Sequence, residues 1–157
     1  MTSTITAATL TLTVQESIEL NGVEQGSTNT QTIASVREVS KRIVTATTAE
    51  RIILVFGDNI AAGQFHKTKV MYIRITNLDD TNHVGLIFKN EDNDELGVKL
   101  DKGQSFIFNG DLAGGVVDTM DAVDNSGLST NTFGDLVNIT ATTAASTCDL
   151  EVFVACI

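Results

Sequence analysis

Apolar and polar residues alternate along several stretches of this chain, and a period of two is the signature of a β-strand. In TLTLTV, residues 9–14, three aliphatic side chains fall on one face and three threonines on the other. The same alternation returns at residues 70–76, 84–88 and 148–156. Residues 33–44 almost fit a helical stripe, but their β-branched side chains favour a strand. The pattern predicts an all-β protein.

Turn signals separate these stretches. Asn21-Gly22 follows an alternating arm and predicts a β-hairpin, because a type I′ turn needs positive φ at both central residues. From 70 to 108, short strands alternate with acidic and glycine-containing turns, which indicates a β-meander. In that interpretation LDDTNH, residues 78–83, is the turn of a hairpin.

Many short strands at this spacing are typical of a β-sandwich or barrel. We predict an antiparallel, jelly-roll-like β-sandwich of roughly 8–10 strands. Residues 1–157 are expected to form a single domain. To it we add an extended N-terminal arm at about residues 1–30 and a long surface loop, rich in Gly and Asp, at about residues 109–131.

Charge is segregated along the chain, whose formal net charge is −10. Residues 1–36 carry three acids and no base, residues 37–89 hold eight of the ten bases, and residues 90–157 hold twelve acids against two lysines. An acidic protein repels nucleic-acid phosphate and anionic membranes, so neither is an expected partner. Solubility is the simpler interpretation of this acidity. The more specific one is that the basic middle of one copy meets the acidic end of a neighbour, with Arg37, Lys41 and Arg42 as assembly contacts.

Candidate chemistry is sparse. Asp79, Asp80 and His83 combine carboxylates with an imidazole, yet Asp is also a residue that turns prefer, so we interpret them as turn-forming. The acidic stretch at 91–95 does not continue as a calcium-binding loop, and neither histidine has a second ligand at zinc spacing. Nucleophile-elbow and phosphate-loop motifs are absent. We therefore predict no enzymatic activity, no catalytic residue, no metal and no cofactor.

Two features bear on the compartment. Cys148 and Cys156 lie eight residues apart in one predicted strand, so their Cα atoms are about 26 Å apart, too far for a disulfide. We expect both thiols to be free and buried. The first basic side chain is Arg37, so no basic leader region precedes an apolar stretch, and synthesis in a cytoplasm without a signal peptide is expected.

The block YIRITNLDDTNHVGLIFKNEDNDELGVKLDKGQSFIF, residues 72–108, resembles small structural proteins of tailed bacteriophages, especially marine and cyanobacterial phages. The ITN-D unit, the KL-KGQSF turn, DLAGGVVDTMDA and the opening TLTLTVQESIELNG all contribute to this resemblance. It implies a virion protein whose partners are copies of itself and other virion proteins, such as the major capsid protein. Capsid decoration is the favoured role. The alternatives are a tail or fibre-adaptor component and a host-surface or carbohydrate-binding module, although the absence of Trp disfavours a sugar platform.

Overall fold

The computed structural model describes residues 4–59, 61–90, 93, 95–109 and 136–157. These residues contain thirteen strands and no helix, and therefore no helix able to span a membrane. The strands are β1 (Ala8–Gln15), β2 (Glu19–Leu20), β3 (Val23–Glu24), β4 (Thr28–Val36), β5 (Glu38–Ala46), β6 (Arg51–Gly57), β7 (Phe65–His66), β8 (Val70–Asn77), β9 (Val84–Asn90), β10 (Glu95–Leu100), β11 (Ser105–Asn109), β12 (Leu136–Thr143) and β13 (Cys148–Cys156).

The prediction of an all-β, antiparallel fold is confirmed. The count exceeds the predicted eight to ten because β2, β3 and β7 have two residues each, too few to show any alternation in the sequence. The predicted loop at 109–131 lies, from residue 110 onward, outside the described residues.

The chain divides into two compact units. The first runs to Glu38 and includes Ile157, and the second is Val39–Cys156. The expectation of a single domain with an arm at about residues 1–30 stays a prediction, because compactness alone does not decide which units fold independently.

In the first unit, β1 and β4 form a two-stranded antiparallel ribbon. Between them, β2 and β3 pair across Asn21-Gly22, with Leu20 opposite Val23. Both turn residues have positive φ, 53° at Asn21 and 77° at Gly22. The hairpin predicted from this dipeptide is therefore confirmed.

The second unit contains two sheets. One has the strand order β10–β9–β12–β6–β7 and the other the order β11–β8–β13–β5. The β6–β7 pair is parallel, while β9 is antiparallel to β10 and β12, and β8 is antiparallel to β11 and β13. The narrower description of the fold as jelly-roll-like stays a prediction.

The predicted meander over residues 70–108 is wrong. β8 pairs with β11 and β13, whereas β9 lies in the other sheet, so residues 78–83 connect two sheets and are not a hairpin turn. β9 and β10 do form a hairpin. Alternation in the sequence shows which side chains share a face, but a strand has the same period whichever neighbour it pairs with.

The side chains between the two sheets form one apolar core. Phe88 of β9 and Phe106 of β11 join the sheets directly, with ring centroids 5.0 Å apart. Each fully buried Leu, Ile or Val contributes about 1.5–3 kcal/mol relative to exposure. The largest fully buried apolar side chains are Leu54, Val70, Ile73, Ile75, Val84, Leu86, Ile139, Leu150, Val152 and Val154.

Candidate functional site

Lys41 and Arg42 follow each other on β5, and neighbouring side chains of a strand point to opposite faces. The Lys41 Nζ lies 3.0 Å from Glu151 Oε2 on β13. Arg42 instead donates a hydrogen bond from Nη2 to the carbonyl oxygen of Ile53 on β6, in the other sheet. The structure therefore does not bring these two predicted contact residues into one patch.

Arg37 lies between β4 and β5 in the first unit and is exposed. The assembly role assigned to Arg37, Lys41 and Arg42 stays a prediction. The structure nevertheless distinguishes the three residues by the contacts that they make within the protein. Arg42 links the edges of two sheets, so its substitution is expected to affect folding as well as any contact.

Glu151 receives a second cation from β8. Arg74 Nη2 lies 2.5 Å from Glu151 Oε1, and the Arg74 guanidinium stands 6.0 Å from the centroid of the Phe153 ring. The ion pair with Lys41, followed by that with Arg74, holds the pKa of Glu151 below its ordinary value. Lys41 keeps 59% of its side chain exposed, so a neighbouring molecule can still reach it.

Exposed aliphatic side chains accompany these bases. Val39 and Ile43 on β5 and Ile52 on β6 are each more than half exposed. β5 ends the order of its sheet, and β6 is followed in its own sheet by the two-residue β7 alone. Exposed aliphatic groups on open strand edges favour contact with another protein. We call Val39, Lys41 and Ile43, which share the outer face of β5, the basic edge.

The acidic linker between β8 and β9 is held by its own side chains. Asp79 Oδ1 accepts hydrogen bonds from the backbone N–H of Asn82 at 2.5 Å and of Thr81 at 2.8 Å. These two bonds, with that from Asn82 the stronger, lower the pKa of Asp79. Asp80 accepts a bond from the Thr81 hydroxyl at 2.8 Å. The carboxylates thus fix the path of the linker from one sheet to the other.

A polar depression of about 430 Å³ opens beside this linker, lined by Leu78, Asp79, Asp80, Thr147 and Asp149. Three carboxylates line it, but each accepts a hydrogen bond from the protein, Asp149 from the Thr45 hydroxyl at 2.7 Å. In the described ranges, no group of three or more His, Cys, Asp or Glu side chains is placed to hold a metal ion.

A shallow trough of about 400 Å³ lies on the outer face of the five-stranded sheet. Gly85 on β9 and Gly97 on β10 help to form it, opposite Lys99 and Ile87 respectively. Lys99 Nζ pairs with Asp101 at 2.8 Å, so its charge is partly compensated. The trough is open and carries no convergent set of polar groups.

Both cysteines are buried at the two ends of β13 and neither forms a disulfide, which confirms the prediction for the thiols. Burial is the main cause that raises the pKa of Cys148. A buried, protonated thiol is a poor nucleophile. Cys148 therefore serves in packing.

Sequence reasoning missed the importance of Asn77, which is fully buried at the end of β8. Its Nδ2 donates to the carbonyl oxygens of Asn82 at 2.9 Å and Leu100 at 3.3 Å, while its Oδ1 accepts from the Asp79 N–H at 3.0 Å. One amide thus holds the 78–83 linker and the end of β10. The available signal was an Asn at a core-facing position after Ile73 and Ile75.

No protein-family model and no curated protein matches this chain. Among solved structures, a similar one is a component of Bacillus endospore appendages, which are described as a novel family of disulfide-linked pili. The two share 15% sequence identity over 76% of this chain and 84% of that one, with a TM-score of 0.43. Similarity at this level carries no argument about the function of the present chain.

Proposed function

We propose that this protein is a non-enzymatic structural component of a tailed-phage virion, with decoration of the head shell as its favoured role. Its partners are then further copies of itself and other virion proteins, such as the major capsid protein. The resemblance of residues 72–108 to phage structural proteins supports the virion assignment.

The observation that carries the proposal is the basic edge. The core-facing aliphatic side chains are buried efficiently, with Leu54 only 1% exposed, yet Val39 remains 56% and Ile43 64% exposed. Covering these aliphatic groups, which flank Lys41 on β5, removes apolar surface from water, and the Lys41 charge orients the partner. Repeated, identical contacts of this kind are what a symmetric protein shell requires.

A decoration protein also has to keep its shape when it is bound at many sites. The Lys41–Glu151–Arg74 network ties β5, β13 and β8 together on the outer face of the four-stranded sheet. The Arg42–Ile53 contact ties β5 to β6 across the edge. Both contacts support the strands that present the exposed aliphatic groups, so less order has to be gained on binding.

The experiment is a virion preparation made with the Ile43→Glu variant in place of the natural protein. We expect at least a tenfold loss of incorporation, measured by quantitative mass spectrometry of purified particles. Ile107→Glu is the matched control, because Ile107 is also exposed on an edge strand, β11, but lies outside the basic edge. Normal incorporation of Ile43→Glu contradicts a role of the basic edge.

Copy number and position decide the location within the particle. Regular occupancy of the head lattice in a particle reconstruction supports decoration, and a few copies at one vertex support a tail or fibre-adaptor role. Absence of the natural protein from particles contradicts the whole proposal. Charge reversal at Arg37 is a cleaner secondary test than reversal at Arg42, whose guanidinium bonds Ile53.

A further inference from the structure

A second surface with exposed aliphatic groups lies in the first unit, on the β2–β3 hairpin and its flanks. Ile18, Leu20 and Val23 are each more than half exposed there. Glu19 stands directly opposite Glu24 in the hairpin register, and Glu16 precedes them. We call residues 16–24 the acidic hairpin. It combines three exposed aliphatic side chains with three carboxylates and contains no base.

The backbone of the acidic hairpin is fixed, although its aliphatic side chains are not covered. Glu24 Oε1 accepts hydrogen bonds from the N–H groups of Ile18 at 2.9 Å and Gly26 at 2.6 Å. The Glu16 N–H donates to the Ser27 carbonyl at 2.8 Å, and Glu16 Oε2 accepts from the Ser27 hydroxyl at 3.2 Å. A segment ordered in this way loses little conformational entropy when it binds a partner.

The acidic hairpin and the basic edge are complementary in composition. The hairpin presents three exposed aliphatic side chains and the edge two, and the exposed charges beside them have opposite sign, because Lys41 is 59% exposed while its partner Glu151 is only 18% exposed. Pairing two basic edges would bring two Lys41 side chains together, and pairing two acidic hairpins would place glutamates together. Like charges across an interface are costly, whereas opposite charges favour and orient association. The charges therefore favour one hairpin against one edge.

We infer that the acidic hairpin of one copy docks on the basic edge of a second copy. The inference rests on the proposed structural function and names the partner of the same edge. Such an interface is heterologous, because each copy uses two different surfaces. After one contact forms, a hairpin and an edge remain free, so association continues to a closed ring or an open chain of copies.

Two variants of the full chain test the inference by complementation. Leu20→Lys places a base on the hairpin, and Ile43→Glu places an acid on the edge. Both side chains are exposed, so the melting temperature is expected to match that of the natural protein. By analytical ultracentrifugation at low salt, the natural protein should self-associate, and each variant alone should associate at least tenfold more weakly.

The decisive sample is an equimolar mixture of the two variants. Its Ile43→Glu copies supply an intact hairpin and its Leu20→Lys copies an intact edge, so dimers of one variant with the other should form. Ile107→Glu, the control, should associate like the natural protein, and added salt should weaken every complex. A natural protein that stays monomeric, or a mixture that forms no dimers, overturns the inference. Loss of Ile43→Glu from virions alongside monomeric proteins overturns this docking alone and leaves the proposed function standing.

Discussion

Strands β1 and β9 have the same period of alternation but different surroundings. Along β9, core-facing residues such as Leu86 are fully buried and alternate with partly exposed ones. Along β1, Leu10 and Leu12 are partly exposed and Val14 is exposed. Alternation thus predicts a strand and its apolar face in both units. It does not predict whether a second layer covers that face.

The difference follows from the number of strands available to each unit. The second unit has two sheets whose apolar faces are buried between them. The first unit has a two-stranded ribbon and a hairpin whose two strands have two residues each. Two strands alone are marginally stable in water, since they cannot enclose apolar side chains. The exposed aliphatic groups of the acidic hairpin are therefore available for binding another molecule.

The largest expected effect contrasts a leucine from each unit. Leu86→Ala removes a side chain with no exposed surface and should lower the free energy of unfolding by about 2–5 kcal/mol. Leu20→Ala should change it by no more than about 0.5 kcal/mol, because Leu20 is 60% exposed. Urea unfolding followed by circular dichroism, at a protein concentration low enough to exclude association, measures both. Equal losses would contradict the contrast between the two units.

The next effect concerns a polar group inside the sandwich. Asn77→Ala leaves the partly buried carbonyl oxygen of Asn82 and the buried carbonyl oxygen of Leu100 without their shared donor, and should cost about 2–3 kcal/mol. Asn109→Ala, at an exposed position of β11, is the matched control and should be nearly neutral. Urea unfolding again gives the comparison. A neutral Asn77→Ala would show that water replaces the amide.

The sequence was sufficient for the fold class and for local geometry, but not for pairing. Asn21-Gly22 specified its hairpin because the dipeptide itself tolerates positive φ. The composition of residues 78–83 suits any tight change of direction, so the sequence alone predicts a hairpin there. That β8 pairs with β11 and β13 depends on contacts between residues far apart in the chain. No local pattern contains that information.

The candidate site, too, could be predicted only in part from the sequence. The bases at 37–42 were visible as charges, but the partners of Lys41 and Arg42 lie on β13 and β6, far along the chain. Their different roles could not be predicted without the pairing. The aliphatic members of the basic edge, Val39 and Ile43, could not be distinguished from core residues in the sequence. Exposure is a property of the folded chain.

The two units should also differ in their stability in acid, with a smaller effect than those of the substitutions above. The hydrogen bonds that Glu24 accepts from Ile18 and Gly26 lower its pKa in the folded hairpin below the ordinary value of 4.5. A lowered folded pKa gives stability that is present above pH 4.5 and is lost as pH falls through the folded pKa, because the unfolded chain then binds more protons. The sandwich also has its apolar core, which does not titrate.

We therefore expect the amide resonances of residues 16–27 to lose their native dispersion at a higher pH than those of β9, in spectra recorded from pH 6 to pH 2.5. Glu24→Gln keeps an acceptor oxygen but cannot titrate, so in this variant the hairpin should depend less on pH. Simultaneous loss of both sets of resonances would show that the units unfold together.

The smallest expected effects on stability come from replacing one glycine in each unit by alanine, and the two effects have opposite signs. Gly97 on β10 has ordinary backbone angles, and a Cβ atom there would meet no atom within 4 Å. Gly97→Ala should therefore stabilise the sandwich by about 0.5–1 kcal/mol, because alanine lowers the conformational entropy of the unfolded chain. Gly22 has equally free space, but its φ of 77° strains any other residue, so Gly22→Ala should destabilise the hairpin by about 1 kcal/mol. Thermal unfolding for Gly97→Ala, and amide exchange at residues 16–27 for Gly22→Ala, measure the pair. A destabilising Gly97→Ala would mean that β10 needs glycine for a reason other than space or backbone angle.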